Sequence, residues 1–353
     1  MPRSVLALLA ATLTLNGCAG PARGPCADGT PLGTICGFEE PEDSEWMSAA
    51  GVLLVTNMRN PAVKGDHGGF LAALVPGSRD VRRVWPTGKP TDAAPDPQVG
   101  DPGCPGPLAG PTFSPHGLTS AGNLVYVVAH SNAGAREAVE IFAVDGQGAD
   151  ATVMWKGCIP QEPNVVANDI AVASDGEVII SNYESEMSLW NTLRAGALGS
   201  QTGDVMGWRR GSGWRHLSGT AASMANGVAV SADGQQVFWA ETGTGKVHRT
   251  PRAGGADTSV SIGGNPDNLS WTSRGTLLVA THTGGPKFLL CALGSLPCRS
   301  PWAVFEIDPK TMTATQRFAH DGSVVGAIAS ATEVDGKTYL GSVFDDRIGV
   351  LTP

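Results

Sequence analysis

Acid and amide side chains recur at one fixed distance from a glycine. Asn168 lies eight residues before Gly176, Asn226 eight before Gly234, Asp267 eight before Gly275 and Asp43 eight before Gly51. Three of these have a second such residue beside them: Glu42 before Asp43, Asp169 after Asn168, and Asn268 after Asp267. A lone Asn or Asp at such a place is ordinarily a turn or cap residue. Repetition at one offset in four segments favours a shared role. Carboxylate and amide oxygens, with no Cys or His among them, are a hard-cation ligand set. Calcium accepts many such oxygens in irregular geometry, whereas magnesium demands a stricter octahedron and ranks second. Several carboxylates brought together also need a cation, or protons, to offset their repulsion. Glu42, Asn168, Asn226, Asp267 and Asn268 form the predicted set. Asp43 and Asp169 either bind a second, deeper ion or hydrogen-bond beside the first.

One segment differs. In "SPHGLTS" the residue ahead of the strand is His116, and His130 ends the next apolar stretch, "VVAH". A hairpin turning near Gly122 brings the start of one strand beside the end of the next, so the two imidazoles become neighbours. Such a pair can share a proton, one ring acting as base while the other orients it or carries the proton away. The alternative is two buried histidines bonded to backbone.

The elements that must position these residues are repeats. Six segments share a short apolar stretch, a turn centred on Gly, and an alternating or β-branched stretch. They include "NDIAVASDGEVIISN", "NGVAVSADGQQVFWAE" and "DNLSWTSRGTLLVAT". Their turn glycines are Gly51, Gly122, Gly176, Gly234, Gly275 and Gly336. Asp-Gly pairs in three copies are strong hairpin signals, because Gly accepts the positive φ of a tight turn. Hairpins this widely spaced, each with room for two more strands, predict an all-β fold, a six-bladed β-propeller with a central axial metal site. Rotation about its axis converts equal offsets into convergence on the channel. A sandwich would also give hairpins, but not this spacing with this internal similarity. Residues 86–111 and 184–214 read as inserted loops over one face, the second with room for a short helix.

The chain has 353 residues, a formal net charge of -9, 47 Gly and 25 Pro. Turn-rich composition suits short strands. An acidic chain without a basic stripe excludes nucleic acid as the expected partner. Arg3 followed by the short apolar run Val5 to Leu15 is a targeting segment, too short to span a membrane. It ends in "LNGC", which resembles a bacterial lipoprotein cleavage box with Cys18 as the lipidated residue. The alternative is an ordinary secretory signal. The expected layout is a signal peptide at 1–17, a loop-rich leader at 18–37 and the propeller at 38–353. The expected location is the bacterial cell envelope, lipid-anchored and extracytoplasmic. Ala19 gives no reason for inner-membrane retention, which favours the outer membrane. Six cysteines remain, an even set that suggests disulfides in an exported protein. Fifteen pairings are possible. Sequence closeness and flanking Pro/Gly loops favour Cys26–Cys36, Cys104–Cys158 and Cys291–Cys298.

"SPHGLTS", "VVAHSN" with "VEIF" after it, "NDIAV", "ANGVAVSADGQQVFWAE", "DNLSW" and "GKTYLGSVF" resemble, in order, the blade motifs of paraoxonases. "EDSE" resembles the acidic pair at that family's start. The resemblance runs from about Glu42 to the C-terminus. It implies a six-bladed propeller with two axial calcium ions, active on lactones and aryl esters. It implies catalytic-calcium ligands Glu42, Asn168, Asn226, Asp267 and Asn268. It further implies a structural calcium on Asp43, Asp169 and the backbone carbonyl of Leu118, and a catalytic dyad of His116 and His130. The family's disulfide from the N-terminal region to the last strand has no counterpart, because no Cys follows Cys298. Ring closure must then rest on strand pairing between the termini. The expected function is a calcium-dependent lactonase and arylesterase taking a small-molecule lactone or ester. A serine-hydrolase mechanism is disfavoured, since the chain has no G-x-S-x-G elbow. The rival readings are a gluconolactonase-type sugar-lactone hydrolase, which would lack the "PHG"/"VVAH" pairing, and a non-catalytic propeller that binds another envelope protein.

Overall fold

In the computed structural model, residues 24–58, 68–87, 95–108, 113–131, 136–184, 194–195, 198–292 and 298–353 are described. The expected signal peptide and Cys18 lie outside them. Six four-stranded antiparallel sheets form the blades of a propeller. Blade 1 holds β2 (Pro41–Met47), β3 (Val52–Asn57), β4 (Phe70–Leu74) and β5 (Val81–Trp85). Blade 2 holds β6 (Pro115–Ala121), β7 (Leu124–Ser131), β8 (Arg136–Asp145) and β9 (Thr152–Pro160). Blade 3 holds β10 (Ala167–Val172), β11 (Val178–Asn182), β12 (Asp204–Arg209) and β13 (Gly213–His216). Blade 4 holds β14 (Ala225–Val230), β15 (Gln236–Glu241), β16 (Lys246–Pro251) and β17 (Thr258–Ser261). Blade 5 holds β18 (Asn265–Trp271), β19 (Leu277–His282), β20 (Trp302–Asp308) and β21 (Thr313–His320). Blade 6 holds β22 (Ile328–Val334), β23 (Lys337–Ser342) and β24 (Arg347–Leu351), and its fourth strand is β1 (Leu32–Cys36), from the other end of the chain.

The innermost strands β2, β6, β10, β14, β18 and β22 touch in turn around a closed ring. Each is followed by its predicted turn glycine, and all six glycines have φ between 65° and 82°. A side chain there would sit in the left-handed region that only Gly enters freely. The blades are glued face to face by period-two alternation. In β3, Val52 and Leu54 pack toward blade 2, while Leu53 and Val55 pack toward blade 6. Strands buried on both faces read as continuous apolar runs, which is how "VLLV" and "VII" read. Every neighbouring pair of blades shares one such cluster.

The terminal strands close the ring: β1 and β24 run antiparallel, with Leu32 opposite Leu351 and Cys36 opposite Arg347. The leader expected to be loop at 18–37 thus carries a strand, tied down by Cys26–Cys36. Cys104–Cys158 and Cys291–Cys298 also form, so all three favoured pairings are present. The inserts correct the sequence reading. In the first, Asp96 and Asp101 donate backbone N–H groups to the carbonyls of Lys156 and Cys158, so its described part runs along β9 at the rim of blade 2. In the second, Asp204–Arg209 is the third strand of blade 3 rather than loop.

Candidate active site

Each innermost strand carries one extra residue near its start. The register slips between Pro41 and Ser44, Pro115 and Leu118, Ala167 and Ile170, Ala225 and Val228, Pro266 and Leu269, and Ile328 and Ser330. All the predicted catalytic and metal-site residues except His130 and Leu118 lie inside these bulges: Glu42 and Asp43, His116, Asn168 and Asp169, Asn226, and Asp267 and Asn268. A bulge re-aims side chains away from strict alternation, which lets two successive residues serve one site.

The outer set is deeply buried and short of donors. Glu42 is fully buried and its Oε1 accepts a hydrogen bond from Asn268 Nδ2 at 2.7 Å. Glu42 Oε2, Asn168 Oδ1, Asn226 Oδ1 and Asn268 Oδ1 are buried with no hydrogen-bond partner in the protein. An unsatisfied buried polar atom costs about 1–3 kcal/mol. Four acceptors from four inner strands with nothing to accept make a cradle suited to a cation. Among the described residues, no three His, Cys, Asp or Glu side chains alone make a metal centre. The cradle depends on asparagine amides. Its electrostatics agree. Burial, then the carboxylates of Asp43 and Asp267, push Glu42 well above the usual carboxylate range. Burial likewise raises Asp169, with Asp43 adding to it. Asp43 is pushed to about 7 by burial, against the hydrogen bonds it receives from Leu118 and Ser44. Without a cation, burial and mutual repulsion favour the protonated forms of Glu42, Asp43 and Asp169.

Asp43 and Asp169 also stitch blades together. Asp43 Oδ2 accepts the N–H of Leu118 on β6 at 3.0 Å, and its Oδ1 that of Ser44 at 2.8 Å. Asp169 Oδ2 accepts the N–H of Val228 on β14 at 2.7 Å, and its Oδ1 that of Ile170 at 2.7 Å. Leu118 therefore meets Asp43 through its N–H. The reach is possible because the residues passed over are Gly117 and Gly227. A Cβ on Gly227 would lie 2.5 Å from the Asp267 carbonyl oxygen and 2.6 Å from Asn268 Cα. These are backbone atoms that cannot step aside. Gly227→Ala should therefore destabilise the fold by about 1–3 kcal/mol, read by urea unfolding; wild-type stability would mean the β14–β18 contact has slack.

The histidines meet as expected. His116 Nδ1 lies 3.1 Å from His130 Nε2. His116 Nε2 faces the cradle, 3.4 Å from Asn168 Nδ2 and 3.6 Å from Glu42 Oε1. Burial, with His130 beside it, lowers the His116 imidazole to about 3, so the ring is neutral at ordinary pH. Sequence reasoning missed two partners. Glu137 Oε2 lies 2.5 Å from His130 Nδ1, across the β7–β8 register in which the two residues are directly opposed. His282 Nε2 lies 2.6 Å from Asp267 Oδ2. The signal for His282 was present: "VATH" in blade 5 repeats "VVAH" in blade 2, and both His residues lie at the end of the second strand, His282 last and His130 one residue before the last.

Residues 103–348, more than two thirds of the chain, match the model of the family described as Arylesterase. The chain belongs to the arylesterase family. Glu42 and Asp43 precede the matched span, while both histidines, all three cradle asparagines and Asp267 fall within it. A curated relative of this arylesterase-family chain is the protein strictosidine synthase-like 10 of Arabidopsis thaliana. It is 26% identical over 215 residues, 54% of this chain and 58% of that protein. The match thus spans little more than half of the relative's length. Among solved structures, a gluconolactonase from Xanthomonas campestris superposes with a TM-score of 0.57 at 14% identity, covering 95% of this chain and 98% of that one. The calcium-binding protein regucalcin from Agrobacterium tumefaciens gives 0.50 at 13%, covering 94% and 95%. At these identities the likeness is one of fold.

Proposed function

We propose that this arylesterase-family propeller hydrolyses lactones and aryl esters, with calcium held by Glu42, Asn168, Asn226, Asp267 and Asn268. One juxtaposition carries the reading: four buried oxygens without a partner, and beside them the His116 Nε2 lone pair. Bound there, calcium would supply a Lewis acid for an ester carbonyl and offset the charge of the surrounding carboxylates. His116 takes a proton from the attacking water through Nε2, and His130 behind it shares the charge. In this reading the amides of Asn168 and Asn226 also hydrogen-bond the developing oxyanion. A second calcium on Asp43 and Asp169, with the Leu118 carbonyl, belongs to the same proposal; it would let Asp43 ionise at neutral pH. Fold alone assigns no substrate. The test is a panel of aliphatic lactones, an aryl ester and gluconolactone. Turnover of the first two supports the reading. Turnover of gluconolactone alone replaces it with a sugar-lactone hydrolase, and turnover of none replaces it with a binding platform.

The reading includes a lipid anchor on Cys18, facing the outside of the cytoplasm and favoured at the outer membrane. Its support is the "LNGC" box, which lies outside the described residues, together with disulfides that form in oxidising compartments. A fatty-acid analogue should label the wild type and not Cys18→Ser; equal labelling refutes the anchor.

A further inference from the structure

Glu137 stands outside the cradle, yet it ends a chain of contacts that begins there. The links run from Asn168 Nδ2 to His116 Nε2 at 3.4 Å, from His116 Nδ1 to His130 Nε2 at 3.1 Å, and from His130 Nδ1 to Glu137 Oε2 at 2.5 Å. Backbone geometry fixes the last link. β7 and β8 are adjacent antiparallel strands with His130 opposite Glu137, and directly opposed side chains lie within about 5 Å at Cβ. Glu137 is partly exposed, as is His130.

A neutral imidazole has one N–H and one lone pair, and its partners decide which nitrogen carries which. A carboxylate only accepts. His130 must then place its hydrogen on Nδ1, which leaves the Nε2 lone pair facing His116. His116 in turn must donate from Nδ1, which leaves its own Nε2 as an acceptor. The far end agrees: the Asn168 amide donates toward that nitrogen while its Oδ1 faces the cradle without a partner. Every link of the row has one donor and one acceptor, all pointing the same way. Were the His130 hydrogen on Nε2, His116 would accept at Nδ1 and present an N–H to the cradle. It could then take no proton from water.

We infer that Glu137 is the positioning residue that sets the tautomers of both histidines and so presents the His116 Nε2 lone pair to the site. It acts through His130 and touches no substrate. The inference deepens the hydrolase reading and rests on it for its kinetic consequence, while the tautomer assignment rests on the geometry of two neutral rings.

Two readouts on the intact chain separate these parts. Imidazole nitrogen NMR on histidine-labelled protein, with His130→Gln used to assign the signal, reports which His130 nitrogen bears the hydrogen. The wild type should show Nδ1–H. Glu137→Ala, with no acceptor there, should shift His130 toward Nε2–H. Glu137→Gln can still accept through its amide oxygen and should keep Nδ1–H. In hydrolysis of an aryl ester, Glu137→Ala should lower kcat about tenfold with KM unchanged, a part of the ~10²–10⁴ that general-base catalysis supplies. Glu137→Gln should recover most of that loss. An unchanged His130 tautomer in Glu137→Ala overturns the inference, and so does a lost tautomer with undiminished kcat. If the wild type hydrolyses nothing on the panel, the hydrolase reading fails, and the nitrogen spectra still decide what Glu137 does.

Discussion

His116→Gln should keep its fold and its calcium yet lose hydrolysis by on the order of a hundredfold or more, the share that a positioned general base contributes. His116 fills the bulge position that acids or amides occupy in other blades, but its Nε2 points into the cradle as a lone pair rather than as a needed oxygen ligand. Glutamine retains polarity and approximate length while removing the basic nitrogen. His130→Gln should lose less, because His130 supports the first ring from behind at 3.1 Å. The readouts are kcat on an aryl ester and calcium content after gel filtration. A His116→Gln protein with intact metal and undiminished turnover would make the two rings a structural pair.

Glu42→Gln should have the opposite signature. Glu42 is fully buried, and burial together with Asp43 and Asp267 raises its carboxyl well above the usual range. Its charge is tolerated only beside a cation. The variant should lose calcium, and hydrolysis should fall toward background. Binding to the folded state stabilises it by about 2.7 kcal/mol when the free ion is a hundredfold above Kd. That calcium-dependent rise in melting temperature should vanish. In chelator the order should invert, with Glu42→Gln melting at or above the wild type, since the amide carries no charge to bury. Normal calcium content in Glu42→Gln would refute the ligand assignment.

The parts of this molecule that are legible in the sequence are those set by local chemistry. Turn glycines such as Gly176 and Gly234 must take positive φ, and that requirement shows in the residue type. Equal offsets from those turns then translate into convergence by the rotational repeat, so the shared spacing of Asp43, Asn168, Asn226 and Asp267 brings them together with their neighbours Glu42, Asp169 and Asn268. His116 and His130 follow because one hairpin joins them. What is not legible depends on register and on distant pairing. Leu32–Cys36 is short, contains Gly33 and lacks alternation; it becomes a strand only because β24 leaves an edge open to it. Glu137 is seven residues from His130, and only the β7–β8 register brings the two side chains opposite each other. The bulges are invisible in residue type. Gly117 and Gly227 read as ordinary small residues until the neighbouring blade's backbone is seen against them.

The most direct test is the hydrolysis rate of one aryl ester and one aliphatic lactone by the full-length protein in three states: as purified, stripped by chelator, and stripped then restored with calcium. The cradle of partnerless oxygens predicts loss of both activities on stripping and their return with calcium, in step with the stoichiometry of bound ion. Hydrolysis that persists undiminished in the fully stripped protein would contradict it.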